Sequence, residues 1–369
     1  MAGIYIHIPF CKQACHYCNF HFATSLHYKN ALIAGLLKEL ELRKDYSGSD
    51  RVETIYFGGG TPSLLNIDDL ILLIEKIRTV FAVAAEAEIT LETNPDDIAE
   101  EKLIGWKEAG INRLSIGIQS FFDEDLLWMN RAHNAQQAIA SLQLAIKQFN
   151  NITIDLIYGT PQLTNEKWKQ NVDTAISMNI PHLSCYALTV EPKTTLDKMI
   201  RQHQTENINP EKQSEQFLLL MQWMEEAGYE HYEISNFAKP GWYSRHNSSY
   251  WQGQNYLGIG PSAHSFNGTE RQWNISNNNI YIESINQAIV PFEKEVLTTV
   301  QKLNEYIMTS LRTMEGLKFE RLDEVAADKL KTASRKFIDL GLAKLENNSL
   351  ILTRQGKLMA DGIAADLFF

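Results

Sequence analysis

Short apolar runs alternate with longer stretches of helical spacing through the first half of the chain. Ile4–Ile8 is an apolar run that stops at Pro9. Leu26–Arg43 carries its apolar residues at helical spacing, and Val52–Phe57 is a β-branched and aromatic run closed by Gly58-Gly59-Gly60. A helical pattern over Ile67–Phe81 precedes a strand pattern over Glu88–Glu92, which Asn94-Pro95 ends; a helix follows at Glu100–Ala109. Strand signals recur at Arg113–Gly117, Ile152–Tyr158 and His182–Leu188, with helices between them at Ala135–Phe149 and Glu166–Met178. Strands separated by helices of this length predict βαβ units and a parallel sheet. Six such units make a partial barrel, short of the closed eight. The predicted fold class is therefore α/β, a partial (β/α)6 TIM-like barrel.

The second half reads differently. Pro210–Gly228 has a helical pattern and Tyr229–Phe237 that of a strand. Gly241–Phe266 is aromatic and glycine-containing with few helix signals, and Asn274–Asn279 reads as an asparagine-rich loop. From Thr298 the order is helix, short helix, helix, then a hairpin over Leu342–Leu352 turning at Asn347-Asn348, an order that resembles a winged helix. The expected organisation is a core barrel over 1–235, a connecting segment over 236–297 and a mostly helical, winged-helix-like domain over 298–369. Basic and acidic residues nearly balance in that last segment, which weakens a DNA-binding reading and favours a packing or lid role.

Chemistry-bearing residues collect where these strands end. Cysteines follow the first strand and glycines the second; Glu92 ends the third, Gln119 follows the fourth, and Asp155 lies in the fifth. Ligands of parallel α/β folds bind outside the carboxyl ends of the strands, so these loops are expected to converge on one site.

Three of the four cysteines form the run Cys11-Lys-Gln-Ala-Cys15-His-Tyr-Cys18. Cluster ligation usually takes four thiolates; three on one short loop suit a [4Fe–4S] cube whose fourth iron is left open to an amine and a carboxylate. A zinc site completed by His7, His16 or His21 is the alternative, although structural zinc favours four closed ligands. Gly58-Gly59-Gly60-Thr61-Pro62 follows a strand and precedes a helix, where glycines let backbone approach a ligand. It reads either as a tight turn or as a cradle for the amino-acid end of S-adenosylmethionine; no G-K-[ST] follows, so it is not a phosphate loop. Glu92 reads as an acceptor for a ligand ammonium or hydroxyl, or as a solvated strand-end acid. Asp155 interrupts an apolar run, and Arg131 is its available partner, so a structural ion pair stands beside cofactor binding.

Composition narrows the setting. The chain has 369 residues, 44% of them hydrophobic and 21% charged, with a net charge of −11. That charge argues against a broad nucleic-acid face. Four cysteines, three of them clustered, make no disulfide framework. Met-Ala-Gly-Ile-Tyr-Ile-His lacks the features of a secretory signal, and no stretch approaches the length of a membrane span. The expectation is a cytoplasmic protein with no transmembrane segment, with peripheral membrane contact and a homodimer both left open.

Taken together, these residues resemble the radical SAM family that includes oxygen-independent coproporphyrinogen III oxidase, and within it a haem-chaperone branch. The resemblance rests on Tyr5-Ile-His-Ile-Pro-Phe-Cys11 through Phe20, Gly58–Leu65, Ser115-Ile-Gly-Ile-Gln119-Ser-Phe121, Asp155-Leu-Ile-Tyr-Gly159 and Arg245-His246-Asn247-Ser-Ser-Tyr250-Trp251, in an order spanning nearly the whole chain. It implies cluster ligation by Cys11, Cys15 and Cys18. It further implies S-adenosylmethionine contacts from Tyr5, Tyr17, Gly59, Gly60, Thr61 and Glu92, with Gln119, Arg131 and Asp155 lining the same cavity.

Two departures separate the branches. The oxidase motif continues C-x3-C-x2-C-x-C, but Phe20 stands at that last position here, and only ten residues precede Cys11 where the oxidase has a longer arm. The resemblance thus implies a haem chaperone serving apo-haemoproteins such as respiratory enzymes, with oxidative decarboxylation of a porphyrinogen as the alternative. His246, in the H-N-x-x-Y-W motif, is the expected haem ligand, with Tyr250, Trp251 and Tyr256 as flat contacts; the plain alternative is a histidine that only hydrogen-bonds within its loop. His264 is the next candidate ligand, and Cys185 reads as a small buried residue or a haem-linking thiol.

Overall fold

Successive side chains of a strand point to opposite faces, and the first strand shows this: Ile4, Ile6 and Ile8 are fully buried on one face, while Tyr5 and His7 lie on the other. The structure, a computed structural model, describes residues 3–46 and 51–369. Met1 and Ala2, part of the N-terminal stretch considered above, lie outside the described residues. Six parallel strands stand side by side in chain order: β1 (Gly3–Ile8), β2 (Val52–Gly59), β3 (Val83–Thr93), β4 (Arg113–Gln119), β5 (Ile152–Tyr158) and β6 (His182–Ala187). The crossovers carry α1 (Lys29–Leu42), α2 (Ile67–Val80), α3 (Glu100–Glu108), the short α4 (Asp123–Trp128), α5 (Ala135–Gln148) and α6 (Asn165–Ser177). Asn66 and Asn134 close capping boxes at the starts of α2 and α5, satisfying amides that would otherwise lack partners. β3 begins at Val83, upstream of the expected Glu88, because small alanines carry that stretch. After α7 (Thr195–Arg201) and α8 (Pro210–Glu226) the parallel series ends.

The expected single strand over Tyr229–Phe237 is a hairpin of β7 (Glu230–Glu233) and β8 (Asn236–Ala238), with β8 antiparallel to β6. The buried Glu233 carboxylate makes the corner, accepting from Ser235 N at 3.0 Å and from Asn236 Nδ2 at 2.6 Å.

Residues 236–297 form part of the main sheet rather than a connecting segment. Ser244 caps α9 (Arg245–Trp251), and β9 (Tyr256–Ile259) then pairs in parallel with the free edge of β1. β10 (His264–Phe266), β11 (Glu270–Asn274) and β12 (Phe292–Val296) add antiparallel strands outward from β9. Asn277 accepts from Asn279 N and Ile280 N and so caps α10 (Asn278–Asn286), where a loop was expected. Among the described residues the outcome is an open twelve-stranded sheet whose main core runs from Ile4 to Ile285, with a smaller apolar cluster of Leu126, Met129, Ile157, Leu188 and Leu196 beside it.

The C-terminal segment has its own core, from Ile307 to Leu367. It comprises α11 (Thr299–Leu311), β13 (Leu317–Lys318), a short 3-10 turn, α12 (Glu324–Asp339), the hairpin β14 (Ala343–Glu346) and β15 (Ser349–Leu352), then α13 (Arg354–Lys357) and α14 (Ala360–Asp366). Asn347 and Asn348 both adopt positive φ, the two-residue turn that suits a right-twisted hairpin. Arg312 fastens this unit to the barrel, meeting Glu233 at 3.1 Å and lying 5.0 Å from the Trp251 ring. Among the described residues, no helix is long and apolar enough to cross a membrane.

Candidate functional site

The loop after β1 is held by backbone bonds and by neighbours from across the barrel rim. Cys11 N donates to Ala23 O at 3.0 Å, His16 N to Met129 O at 3.1 Å, and Cys18 N to Cys15 O at 3.3 Å. Asn130, itself at positive φ, donates to Ala14 O at 2.7 Å and accepts from Gln13 at 2.6 Å. Lys12 pairs with Asp96 and Asp97 beyond β3. A loop tied at this many points presents its side chains with little freedom.

Cys11, Cys15 and Cys18 open onto one cavity of about 470 Å³, whose walls also carry Tyr17, Gly59, Gly60, Thr61, Glu92, Gln119, Arg131 and Asp155. The ends of five parallel strands thus meet the cysteine loop at one place. Gly60 is needed there: a Cβ would lie 2.5 Å from Phe10 O, so any side chain would displace the backbone leading into Cys11. Gln119 takes positive φ at the end of β4, a strained conformation that turns the chain at the cavity wall.

Arg131 is the centre of the polar wall. Its guanidinium donates to Cys15 Sγ at 3.3 Å, Tyr17 OH at 3.4 Å, Asn94 Oδ1 at 2.7 Å and Gly117 O at 2.8 Å. Asn94 Nδ2 in turn donates to Thr61 Oγ1 at 3.1 Å, and Thr61 Oγ1 to Cys11 Sγ at 3.6 Å. This chain of donors connects two of the three sulfurs. The alternative of an Arg131–Asp155 ion pair is not realised among the described residues; Arg131 is turned to the cysteine loop.

The two carboxylates are left short of charge compensation. Tyr56 OH donates to Glu92 Oε1 at 2.8 Å and Gly59 N to Oε2 at 3.1 Å. Burial, with the nearby Asp155 charge adding to it, nevertheless pushes Glu92 up to about 7. Burial likewise raises Asp155 to about 6, with Arg113 and Arg131 only partly offsetting it. Buried carboxylates without a cation beside them favour the protonated form. A ligand bearing an ammonium or sulfonium would supply the missing positive charge.

Comparison with known proteins places this arrangement. Residues 5–199 match the Radical SAM superfamily. The chain is 34% identical over 375 aligned residues to the Heme chaperone HemW of Bacillus subtilis, covering 98% of each, and 33% identical to that of Mycobacterium tuberculosis, covering 99% of this chain and 94% of that one. It belongs to the HemW family of radical SAM proteins. The fold also matches coproporphyrinogen III oxidase (HemN) from Escherichia coli, a Radical SAM enzyme, with a TM-score of 0.85 at 23% identity over 100% of this chain and 90% of that one.

Radical SAM membership implies an iron–sulfur cluster and S-adenosylmethionine, and the residues present fit both. Three thiols share a cavity wall, backbone without side chains stands beside them, and unneutralised carboxylates lie on the same cavity. The histidines that a zinc site would recruit are engaged elsewhere: His7 Nε2 with His21 O at 3.0 Å, His16 Nδ1 with Trp128 O at 2.8 Å and His21 Nε2 with Asn278 Oδ1 at 2.8 Å.

Three of the expected residues of this HemW-family chain lie away from that cavity. Tyr5 faces a second, larger cavity and shares a 3.2 Å hydrogen bond with His7 Nδ1. His246 is 1% exposed and bounds neither cavity. Its Nδ1 shares a 2.7 Å hydrogen bond with Thr54 Oγ1 and its Nε2 one of 2.8 Å with Tyr250 OH, while its ring stacks on Tyr56 at 4.9 Å. With both ring nitrogens engaged, it has no free lone pair for iron, and its side chain serves as a buried strut. Gly3 makes room for it, since a Cβ there would lie 2.9 Å from the ring. Cys185 is buried in the core of β6, where desolvation pushes its thiol far up.

Asn94 and Tyr56 are the functional residues that motif spacing did not single out. Each acts through a partner on a different strand, and only the position of Asn94 beside Glu92-Thr93 hinted at it.

Proposed function

We propose that this chain is a haem carrier: it binds haem and passes it to apo-haemoproteins such as respiratory enzymes. In the same chain, the barrel cavity holds a [4Fe–4S] cluster on Cys11, Cys15 and Cys18 together with S-adenosylmethionine. The observation that carries the reading is similarity along the whole chain to proteins named Heme chaperone HemW. The absence of a cysteine at position 20 favours it over oxidative decarboxylation.

The chain's own residues have definable tasks in this reading. Arg131 and Thr61 orient Cys15 and Cys11, and Gly59 and Gly60 let the ligand approach the backbone. Glu92, raised to about 7, is partly protonated near neutral pH while the cavity is empty, and the ligand's positive charge favours the ionised form of both Glu92 and Asp155. A cluster with one open iron supplies a corner that binds an amine and a carboxylate and can pass on an electron. Tyr17 and Gln119 bound the space beside it. We place the protein in the cytoplasm, acting without nucleic acid, in contact with acceptor proteins that include membrane-associated ones; whether as a monomer or a homodimer is a property to be measured.

The test is anaerobic cluster reconstitution followed by haemin titration, transfer to an apo-haemoprotein, and product analysis with coproporphyrinogen and S-adenosylmethionine. A saturable shift of the haem absorption band, transfer of that haem and no decarboxylated product are expected. Wild-type protein that takes up no haem overturns the reading, and formation of protoporphyrinogen would establish the oxidase instead.

A further inference from the structure

The larger cavity, about 1010 Å³, lies between the β9–β11 extension of the sheet and helices α11 and α12 of the C-terminal unit. Its walls include the rings of Tyr250, Trp251, Tyr256, Phe266 and Tyr306. Flat aromatic walls at this spacing favour a flat apolar ligand. The cavity also contains charge, and the pairing of that charge is informative. Arg271 Nη2 is committed to Glu305 at 2.9 Å. Asp323 caps α12 by accepting from Ala326 N at 2.8 Å. Lys302 and Arg321 remain: among the described residues neither forms an ion pair, and Arg321 lies 4.7 Å from the Tyr306 ring centre. Among the described residues, two cations without an ion pair, against one such carboxylate at Asp323, leave this aromatic cavity positive and suit a ligand bearing carboxylates.

The histidines at this cavity differ in the same way. His7 and His21 are held by the hydrogen bonds described above, and His246 sits behind Tyr250. His264 projects from β10 into the cavity, its ring 6.3 Å from Trp273, and among the described residues its nitrogens have no hydrogen-bond partner. His264 is exposed on this wall, and partial desolvation with the neighbouring Arg271 lowers its pKa, which keeps the imidazole neutral with a lone pair available.

We infer that this cavity takes one iron-porphyrin, with His264 as the axial ligand to iron and Lys302 and Arg321 meeting the propionates. The inference rests on the haem-carrier reading and adds to it a site distinct from the cysteine cavity and a ligand other than His246. His246 is then a positioning residue that fixes Tyr250 at the wall. The two cavities share Asn19 and Phe20, the residues just after Cys18, so the end of the cysteine loop forms part of the porphyrin site. Phe20 is 67% exposed there, an apolar ring without protein cover.

The experiment is haemin titration of the full chain and its His264→Gly, Lys302→Glu and Arg321→Glu variants, followed by optical and electron paramagnetic resonance spectra. His264→Gly is expected to lose the histidine-ligated spectrum and to bind haemin at least about tenfold more weakly, with added imidazole restoring the spectrum. Among the described residues the His264 side chain makes no hydrogen bond, and its backbone pairing with Trp273 does not depend on it, so this variant should fold and lose only the small stability that glycine costs within a strand. Each charge reversal is expected to weaken haemin by a similar factor and to leave the dimethyl ester of the same porphyrin unaffected. Haemin binding by His264→Gly with wild-type affinity and spectrum overturns the site while the carrier reading stands. Failure of the wild type to bind haemin overturns the carrier reading, and the site with it.

Discussion

Glu92→Gln tests whether the barrel cavity is built for a cationic ligand. In the empty cavity Glu92 is raised to about 7 from an ordinary 4.5, chiefly by burial. Between those two values the unfolded chain has released its proton and the folded chain has not, so stability falls as pH rises through this window and is level above it. The difference is worth about 3 kcal/mol. Glutamine keeps the size and the acceptor for Tyr56 OH, carries no charge, and sets an amide against Gly59 N–H, losing one hydrogen bond worth about 1 kcal/mol. The variant should therefore be less stable than wild type by about 1 kcal/mol near pH 4.5 and more stable by about 2 kcal/mol at pH 8. The assay is thermal denaturation of iron-free, ligand-free protein across that pH range, where Tm is expected to change by several degrees relative to wild type. The variant should also bind S-adenosylmethionine at least about tenfold more weakly, because the carboxylate that receives the positive charge is gone. A wild-type-minus-variant difference that does not vary with pH, or a variant less stable at pH 8, would refute the reasoning.

Cysteine replacements should separate the loop from the core. Wild type reconstituted without oxygen is expected to hold about four irons per chain; Cys11→Ala, Cys15→Ala and Cys18→Ala should each lose most of that iron, and Cys185→Ala should retain it, as read by metal analysis and visible absorbance. Iron lost from Cys185→Ala but kept by Cys18→Ala would reverse the assignment. Arg312→Ala removes two 3.1 Å contacts from the buried Glu233 that joins the C-terminal unit to the barrel. It should cost about 3 kcal/mol in urea denaturation, at the low end for breaking a buried pair because Ser235 and Asn236 still donate. The double variant Glu233→Gln with Arg312→Met should recover much of that loss; no recovery would show that the two side chains act independently.

The elements that could be read from the chain are those whose signal is local. β1, β2 and β5 are rich in β-branched and aromatic residues, and α2 and α5 carry their own caps, so each is specified by neighbouring residues. The strands of the 256–296 stretch are three to five residues long, and β9 acquires its place by pairing with β1 some 250 residues earlier in the chain. No local period encodes such a pairing. The asparagines before α10 carried a cap signal that also fits a loop, because the same side-chain acceptor serves both.

For the site, spacing alone placed the three cysteines on one loop, and strand ends placed Glu92, Gln119 and Asp155 on one rim. Tertiary structure decided the partners. It turned Arg131 toward Cys15 and away from Asp155, left two carboxylates without an ion-pair partner among the described residues, and enclosed His246 between Thr54 and Tyr250 while leaving the His264 ring without a hydrogen-bond partner among those residues. Sequence determines which groups exist and how often they recur along the backbone. Which of them lose water, and which charge or lone pair faces them when they do, depends on chain segments far apart in sequence, and that desolvated geometry sets their chemistry.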